Sequence, residues 1–348
     1  MTAGRTIDIQ LLALEESSAA ALYGMLEVLS TAGRPIRESR GMDPAPATLV
    51  PRIVSPLRKP FQCAHSIPVV PHCAMDADNI PDVLIITEFW LTPGDDMTDR
   101  YDDVKEWLRL CREAGTTIYS VCVGSVLVAA AGLLDGRPAT SHWAFEGLFR
   151  QSFPRVKFDP RPSICFSDPS GRLVTAAGAS SWHDLALYTI AHHVSPEEAM
   201  LTAKFFLLNL HPDGQLPYAN RIVRRPHADN VVRRAETWLA ENFRDADPVA
   251  GVVEAVGIPE RSLKRRFNQA TGQTLISYAQ DLRVEAAKRA LESGQASVED
   301  IAADVGYENV AFFRRLFKRT SGLGPTAYRR LYRPLEAHTA LTRQQVQT

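Results

Sequence analysis

The chain is poor in cysteine and has no long apolar run, and both shortages restrict its class. Its 348 residues include five cysteines, an odd number scattered along the sequence, so a disulfide framework like that of small secreted domains is excluded. The longest apolar stretches reach about half of the ~20 residues that a membrane helix requires. The N-terminal segment MTAGRTIDIQLLALEESS has two glutamates where a secretory signal has an apolar core. We therefore expect a cytoplasmic protein without a membrane partner.

Net charge is scarce overall, at −1, but it is unevenly distributed. Residues 1–220 carry 18 basic and 25 acidic side chains, whereas residues 221–348 carry 21 basic and 15 acidic ones. The C-terminal part is therefore the candidate for binding a polyanion. Its excess of basic residues is too modest to favour sequence-blind nucleic-acid binding, which we keep only as a third possibility.

The N-terminal part alternates between strand-like and helix-like segments. TIDIQLLAL, PATLVPRIV, DVLIIT and TTIYSV have the apolar character of strands, and amphipathic or small-residue helical segments separate them. This alternation predicts an α/β domain, a flavodoxin-like parallel sheet with helices on both faces. Ligands of such sheets bind at the carboxyl ends of the strands. Cys122 follows TTIYSV directly and is predicted to lie there.

Turn-forming and basic residues in 211–230 mark a domain boundary. We place the N-terminal domain at 1–212, a linker at 213–228, the C-terminal domain at 229–333 and a polar tail at 334–348.

The C-terminal part contains an internal repeat. VGIPERSLKRRFNQATGQTLISY (256–278) matches VGYENVAFFRRLFKRTSGLGPTAY (305–328), about 50 residues later. Each copy has the pattern of a short helix, a glycine-containing turn and a second helix, which is the helix-turn-helix motif. An amphipathic helix over 277–294 separates the copies. We predict an all-α domain with two helix-turn-helix units, held apart so that one monomer reaches two successive major-groove segments, ~34 Å apart.

In each copy the second helix has an apolar face and, opposite it, a basic face. Basic residues on a helix are often only solvated, but two copies with matched faces argue against that alternative. An arginine can bind guanine bidentately, whereas arginines at the side of the helix suit phosphates. The predicted DNA-binding residues are Arg261, Lys264, Arg265, Arg266, Asn309, Ala311, Phe312, Arg314, Arg315, Lys318 and Arg319.

Residues 229–333 resemble the AraC/XylS-type DNA-binding domain. The resemblance rests on RSLKRRF, on IAADVGYENVAFFRRLFKRTSGLGPTAYRR and on single residues that include Gly257, Arg283 and Gly306. It implies that Arg261, Lys264 and Arg265 face bases in one groove, and that Ala311, Phe312 and Arg315 do so in the next. Two of these three are apolar, so methyl contacts or DNA shape would determine recognition at the second half-site.

VCVGSVLVAAAGLLDGRPATSHW resembles the nucleophile elbow of the class I glutamine-amidotransferase-like superfamily, ThiJ/PfpI branch. The resemblance covers most of residues 6–210 and implies a strained turn at Cys122 with His142 packed near it. A cysteine at a helix N-terminus beside a histidine should have a lowered pKa, which favours a thiolate. A cysteine-dependent hydrolase or hydratase is therefore the alternative function.

Three departures argue against catalysis. The segment from Thr87 to Trp90 replaces the glycine pair that forms the oxyanion hole in the family's enzymes. Ala21 stands near the position of an acidic residue that contacts the cysteine in relatives, and His142 has no orienting carboxylate nearby in sequence. We therefore expect no enzyme activity, with Cys122 and His142 as vestiges. The two domains together resemble the GlxA-like transcriptional regulators, which implies that the N-terminal domain is a small-molecule sensor and dimerisation module.

Five residues are predicted to bind the effector, and a carboxylate beside two aromatic rings favours an amine. The alternative is that the rings only cover the end of the sheet. The remaining expected partners are double-stranded promoter DNA, RNA polymerase and a second copy of the chain. The predicted effector-binding residues are Glu88, Phe89, Trp90, Cys122 and His142.

CAHSIPVVPHC (63–73) contains four residues of zinc-ligand type, Cys63, His65, His72 and Cys73, but its spacing is not that of a standard zinc site. We expect a plain hairpin there, and no metal or cofactor. Near the start of a later helix, Asp184 is predicted to be a cap, and three histidines in or beside that helix are predicted to be structural. They are His183, His192 and His193.

Overall fold

The computed structural model describes residues 5–43, 45–91, 97, 99–220, 222 and 227–332. The chain divides into two compact units between Gln215 and Leu216, inside the segment predicted as a linker. The predicted polar tail, 334–348, and residues 221 and 223–226 of that linker lie outside the described residues. No helix within the described ranges is long and apolar enough to cross a membrane.

The first unit is built on a seven-stranded sheet of order β10-β11-β7-β6-β1-β2-β5, and two small two-stranded sheets accompany it. The strands are β1 Arg5–Leu12, β2 Ala47–Ser55, β3 Phe61–Cys63, β4 Ile67–Val69, β5 Cys73–Ala74, β6 Val83–Ile86, β7 Thr117–Val121, β8 Pro138–Ala139, β9 Lys157–Phe158, β10 Ile164–Phe166 and β11 Leu173–Ala176.

All pairs in the large sheet are parallel except β10 with β11. The five main strands, β2-β1-β6-β7-β11, follow the flavodoxin order, in which the direction of winding reverses between β1 and β6. Ligands bind beside that reversal, outside the carboxyl ends of the strands. The sheet predicted from the sequence is confirmed, and it assigns the candidate site to the loops after β1, β6 and β7.

Helices flank this sheet and bury its apolar faces in one core. Ser195 caps the last helix of the unit by accepting a hydrogen bond from the Glu198 amide at 3.1 Å. The helices are α1 Ala19–Thr31, α2 Arg34–Ser39, α3 Asp102–Glu113, α4 Gly124–Ala130, α5 Glu146–Ser152, α6 Trp182–His193 and α7 Pro196–Phe206.

The described part of the second unit is helical and has two small cores, one for each helix-turn-helix unit. Asp247 and Ser297 cap the helices that open the two units, and Ser297 forms a capping box with Asp300. The helices are α8 Asn230–Asn242, α9 Pro248–Val256, α10 Glu260–Thr271, α11 Leu275–Ser293, α12 Val298–Asp304, α13 Val310–Ser321 and α14 Pro325–Leu331.

Candidate functional site

Cys122 lies on a sharp turn between β7 and α4, as the elbow resemblance implies. Its φ is +53°, a conformation that side chains other than glycine rarely adopt. Two hydroxyl groups hold this backbone, because Ser125 and Ser141 each donate a hydrogen bond to the Cys122 carbonyl at 2.6 Å. A side chain at Gly124 would collide with the carbonyls of Ile86 and Thr87. The two serine hydroxyl groups and the absence of a side chain at Gly124 therefore determine the conformation of this turn.

The Glu88 carboxyl group hydrogen-bonds to the Cys122 thiol and to the Ser18 hydroxyl. The loop after β6 positions it, because Ser17 and Phe89 form an isolated bridge and the Ser18 amide donates to the Glu88 carbonyl at 2.8 Å. Ala21 stands near the position of the acidic residue that contacts the cysteine in relatives. The carboxyl group here comes instead from Glu88, which the sequence predicted at the pocket beside Cys122 and which lies in the loop after β6.

Burial raises the pKa of Cys122 well above that of a free thiol, and the neighbouring Glu88 carboxyl raises it further. Burial likewise raises the pKa of Glu88. The expected thiolate is therefore contradicted. Since a thiol is a far weaker nucleophile than a thiolate, this environment disfavours covalent catalysis at neutral pH.

His142 contacts the thiol through its backbone amide, which donates a hydrogen bond to the Cys122 sulfur. Its imidazole Nδ1 accepts a hydrogen bond from the Ala144 amide at 3.1 Å, and burial lowers its pKa. A neutral ring with Nδ1 as acceptor carries its proton on Nε2. Neither ring nitrogen is then free to take a proton from the thiol, so the described geometry is not that of a catalytic dyad.

Phe89 and Trp90 have different surroundings. Phe89 is 2% exposed and packs in the core, whereas Trp90 is 57% exposed. Trp90 meets the ring of His65 edge-on, with centroids 5.0 Å apart. Of the two rings predicted at the mouth of the pocket, only Trp90 offers a face to solvent.

The segment weighed as a zinc site is a hairpin only in its first part. Strands β3 and β4 pair antiparallel around a tight turn at His65. His72 and Cys73 belong to the neighbouring β2 edge, where His72 Nδ1 accepts from the Ile53 amide at 2.9 Å. Within the described ranges, no three His, Cys, Asp or Glu side chains are grouped so that they could hold a metal ion.

Asp184 is not a helix cap, which corrects the sequence prediction. It is buried and accepts hydrogen bonds from the His211 amide at 2.8 Å and from the His211 Nδ1 at 2.6 Å. Ser180 lies 3.3 Å from the other imidazole nitrogen of His211. The start of α6 therefore anchors the end of the first unit. His193 bonds the Tyr119 hydroxyl at 3.1 Å, consistent with a structural role.

Both predicted helix-turn-helix units are present. Helices α9 and α10 form the first around Gly257, and helices α12 and α13 form the second around Gly306, with φ of +74° and +86°. At Gly306 a side chain would also collide with the Arg244 carbonyl, so glycine is required there on two grounds. On α10 and α13 the predicted apolar faces are buried and the basic faces are exposed.

Several of the predicted DNA-binding side chains have partners within the chain. Arg266 forms a bidentate pair with Asp229, the N-cap of α8, at 2.7 and 2.9 Å. This pairing lowers the pKa of Asp229 to about 2. The pair joins α8 to α10, and a phosphate contact by Arg266 stays a prediction. Lys264 and Arg314 form exposed pairs with Glu260 and Glu299, which DNA phosphates can displace.

Asn309 caps α13 by accepting a hydrogen bond from the Phe312 amide at 2.9 Å. Phe312 is 41% exposed, and its ring centroid lies 5.8 Å from that of the buried Tyr307. Ala311 beside it is also exposed. The start of α13 therefore offers an exposed apolar surface, and the buried Tyr307 packs beneath it. Five further predicted residues are exposed on the two helices, namely Arg261, Arg265, Arg315, Lys318 and Arg319.

Helix α11, between the two units, buries charged side chains that the sequence analysis left without a role. Arg283 donates hydrogen bonds to three backbone carbonyls, and Lys288 donates to the Ala219 carbonyl at 2.7 Å and to Glu285 at 2.8 Å. The sequence did contain a signal for these residues. Charged residues occur on the face of α11 that the spacing of its apolar residues assigns to the core.

Two family models match the chain, DJ-1/PfpI over residues 26–192 and a helix-turn-helix domain over residues 252–331. The HTH-type transcriptional regulator CdhR of Pseudomonas aeruginosa is 27% identical over 238 residues, which cover 68% of this chain and 69% of CdhR. The HTH-type transcriptional regulator GlxA of Rhizobium meliloti is 26% identical over 228 residues, which cover 64% of this chain and 68% of GlxA.

Among solved structures, an AraC family transcriptional regulator from Pseudomonas putida matches 57% of this chain and 99% of its own, with 16% identity and a TM-score of 0.47.

The chain thus joins a DJ-1/PfpI domain to an AraC-type helix-turn-helix domain, the organisation that the sequence predicts. The similar proteins CdhR and GlxA are HTH-type transcriptional regulators.

Proposed function

We propose that this protein binds a two-part promoter sequence and that a small metabolite in the Cys122 pocket controls this binding or the contact with RNA polymerase. The observation that carries the proposal is the pair of helices α10 and α13, each with its apolar face buried and its basic face exposed. Because α11 packs against both helix-turn-helix units, one monomer presents both reading surfaces to DNA.

The pocket supports binding rather than turnover. Its thiol and carboxyl groups favour their protonated forms, and the described contact of His142 with the sulfur is made by a backbone amide. Protonated groups both donate and accept hydrogen bonds, so they suit recognition of a polar metabolite. We therefore propose that the protein is not an enzyme and acts in the cytoplasm, as expected for a regulator of promoter DNA.

We retain an amine as the proposed effector class, now with Trp90 as the aromatic contact and Glu88 as the charge partner. A bound cation favours the ionised carboxylate, so its binding would release the Glu88 proton. The affinity for a cation is then expected to increase as pH rises through the raised pKa of Glu88. A neutral analogue of the same shape would show no such increase.

Equilibrium binding to a panel of amines and their neutral analogues, with Trp90→Ala and the buried-ring variant Phe89→Leu, tests this effector class. A preference for cations that Trp90→Ala abolishes and Phe89→Leu retains supports the amine. Equal affinity for neutral analogues excludes it.

We also propose a homodimer, formed through the first unit, because a dimer would place four helix-turn-helix units on a repeated operator. Sedimentation equilibrium of the full chain tests it: a mass twice that of the 38.5 kDa chain is expected.

The central experiment is selection of random duplex DNA by the purified full-length chain at near-physiological salt. A two-part motif with halves about one helical turn apart is expected, and Arg265→Ala should lose it. Recovery of sequence-blind, salt-sensitive binding alone, with or without candidate effectors, would overturn the proposal.

A further inference from the structure

The segment that ends the first unit is fixed firmly at three points. His211 is held by Asp184, as described above. Gly214 has a φ of +66° and lies so close to the Arg161 carbonyl that no side chain fits. The Gln215 amide donates to the same carbonyl at 3.0 Å. This backbone therefore follows any movement of the residues beneath it.

Gln215 is 5% exposed, and its side chain bonds on both sides of His142. Its Nε2 donates to the Ser141 carbonyl at 2.7 Å, and its Oε1 accepts from the Trp143 amide at 3.0 Å. His142, between these two residues, donates its own amide to the Cys122 sulfur. The two hydrogen bonds that Gln215 makes to Ser141 and Trp143 are called the Gln215 clamp. A single residue, His142, thus lies between this clamp and the Cys122 thiol of the proposed effector pocket.

The next residues are fixed to the second unit. Leu216 and Ala219 are buried, and the Tyr332 hydroxyl donates to the Pro217 carbonyl at 3.1 Å. Lys288, 2% exposed on α11, donates to the Ala219 carbonyl. Helix α11 in turn joins the two helix-turn-helix units. A single peptide bond, from Gln215 to Leu216, therefore connects a residue clamped beside the pocket to a segment clamped on the DNA-binding unit.

We propose that residues 211–219 transmit the effector signal and that Gln215 is the positioning residue that couples the two units. An occupant that displaces His142 changes the Gln215 clamp, and the chain passes this change through the Gln215–Leu216 peptide bond to the residues that Lys288 and Tyr332 hold. The inference rests on the proposed function. Coupling is reciprocal, so binding of operator DNA must also change the surroundings of Cys122.

This reciprocity allows a test without knowledge of the effector. The rate of Cys122 alkylation by iodoacetamide is measured by peptide mass spectrometry, with and without a saturating duplex obtained from the selection. Cys165, also in the first unit, is the internal reference. Four full-length proteins are compared: the wild type, Gln215→Ala, Tyr332→Phe and the exposed control Gln151→Ala.

In the wild type and in Gln151→Ala, operator DNA is expected to change the Cys122 rate about fivefold or more while leaving Cys165 unchanged. In Gln215→Ala the response should be lost although the duplex still binds, and in Tyr332→Phe it should be weakened. Should Gln215→Ala fail to fold, Tyr332→Phe alone decides, since it removes one hydroxyl from the other unit.

Specific DNA binding without any change at Cys122, or a Gln215→Ala variant that responds like the wild type, would overturn the coupling and leave the regulator function standing. Failure to select a specific duplex would instead remove the function on which the coupling rests.

Discussion

Arg283 in α11 donates a hydrogen bond to the Gly306 carbonyl at 3.1 Å, in the turn of the second helix-turn-helix unit. Its other nitrogens donate to the carbonyls of Phe243 and Asp245, both at 2.6 Å and both between α8 and the first helix-turn-helix unit. The guanidinium also lies 4.8 Å from the ring centroid of Tyr307. One buried side chain of α11 therefore holds both helix-turn-helix units on this helix.

Arg283→Met is expected to lower the free energy of unfolding by about 2–4 kcal/mol, because it leaves three carbonyls without their charged donor. Urea denaturation measures this loss. The exposed Arg289→Met on the same helix is the control and should change stability by less than about 0.5 kcal/mol. Equal effects of the two variants would contradict the bracing role.

Arg265→Ala and Arg266→Ala are expected to affect DNA binding differently, although they are neighbours. Arg265 is exposed, and its loss should weaken operator binding by about 1–3 kcal/mol and relax the preference at one base. Arg266 is paired with Asp229, so its loss should leave the salt dependence of binding unchanged. Fluorescence anisotropy across a salt series separates the two. A reduced salt slope for Arg266→Ala would show that this arginine contacts a phosphate.

The same Asp229–Arg266 pair has a predictable pH dependence. The pKa of Asp229 is lowered to about 2, below the ~3.9 of a free aspartate. The stability that the pair contributes is therefore complete above pH ~4 and is lost as pH falls towards 2. Urea denaturation of the wild type and Arg266→Ala from pH 6 down to pH ~2.5 should give two curves that converge. Parallel curves would contradict the pairing.

Phe312→Ala should reduce discrimination at the second half-site, because the exposed ring offers an apolar contact to a thymine methyl group. Repeating the duplex selection with this variant is expected to lose base preference in one half of the motif only. Phe313→Leu, which alters the buried face of the same helix, is the control for general damage to α13. An unchanged motif would mean that DNA shape or Arg315 determines recognition there.

Glu88→Gln tests the protonation state of the pocket. Because the pKa of Glu88 is raised by burial, its contribution to stability is complete below the unfolded pKa of ~4.3 and is lost as pH rises through the folded pKa. The amide stays neutral, so in a pH series from ~4 upwards the variant should gain stability relative to the wild type as Glu88 ionises. Thermal unfolding measures this, with the exposed Glu113→Gln as control. A constant difference across that range would contradict a protonated Glu88.

The sequence analysis succeeded where local pattern and tertiary structure agree. The strand–helix alternation predicted the sheet that places Cys122 at the carboxyl end of β7, and the repeat predicted both helix-turn-helix units. These features depend on spacing, turn residues and side-chain chemistry within about 20 residues. That information is present in a single sequence.

The predictions that failed depend on contacts between distant segments. The thiolate at Cys122 was expected from a nearby helix start and a histidine, whereas burial and the carboxyl group of Glu88, from another strand, determine its protonation. Asp184 looked like a cap because its partner, His211, is 27 residues away. Gln215 received no role, since nothing local marks a glutamine that bonds to residues more than 70 positions earlier.

The position of Lys288 has a practical consequence for dissecting this protein. A fragment begun at 229, where the sequence places the second domain, would omit the short stretch of backbone that accepts a hydrogen bond from this deeply buried ammonium group. Glu285 would remain as a partner, but the hydrogen bond to the Ala219 carbonyl would be lost. Cutting the gene at Leu216 instead keeps that stretch, and is the boundary at which the DNA-binding half should express as a stable piece.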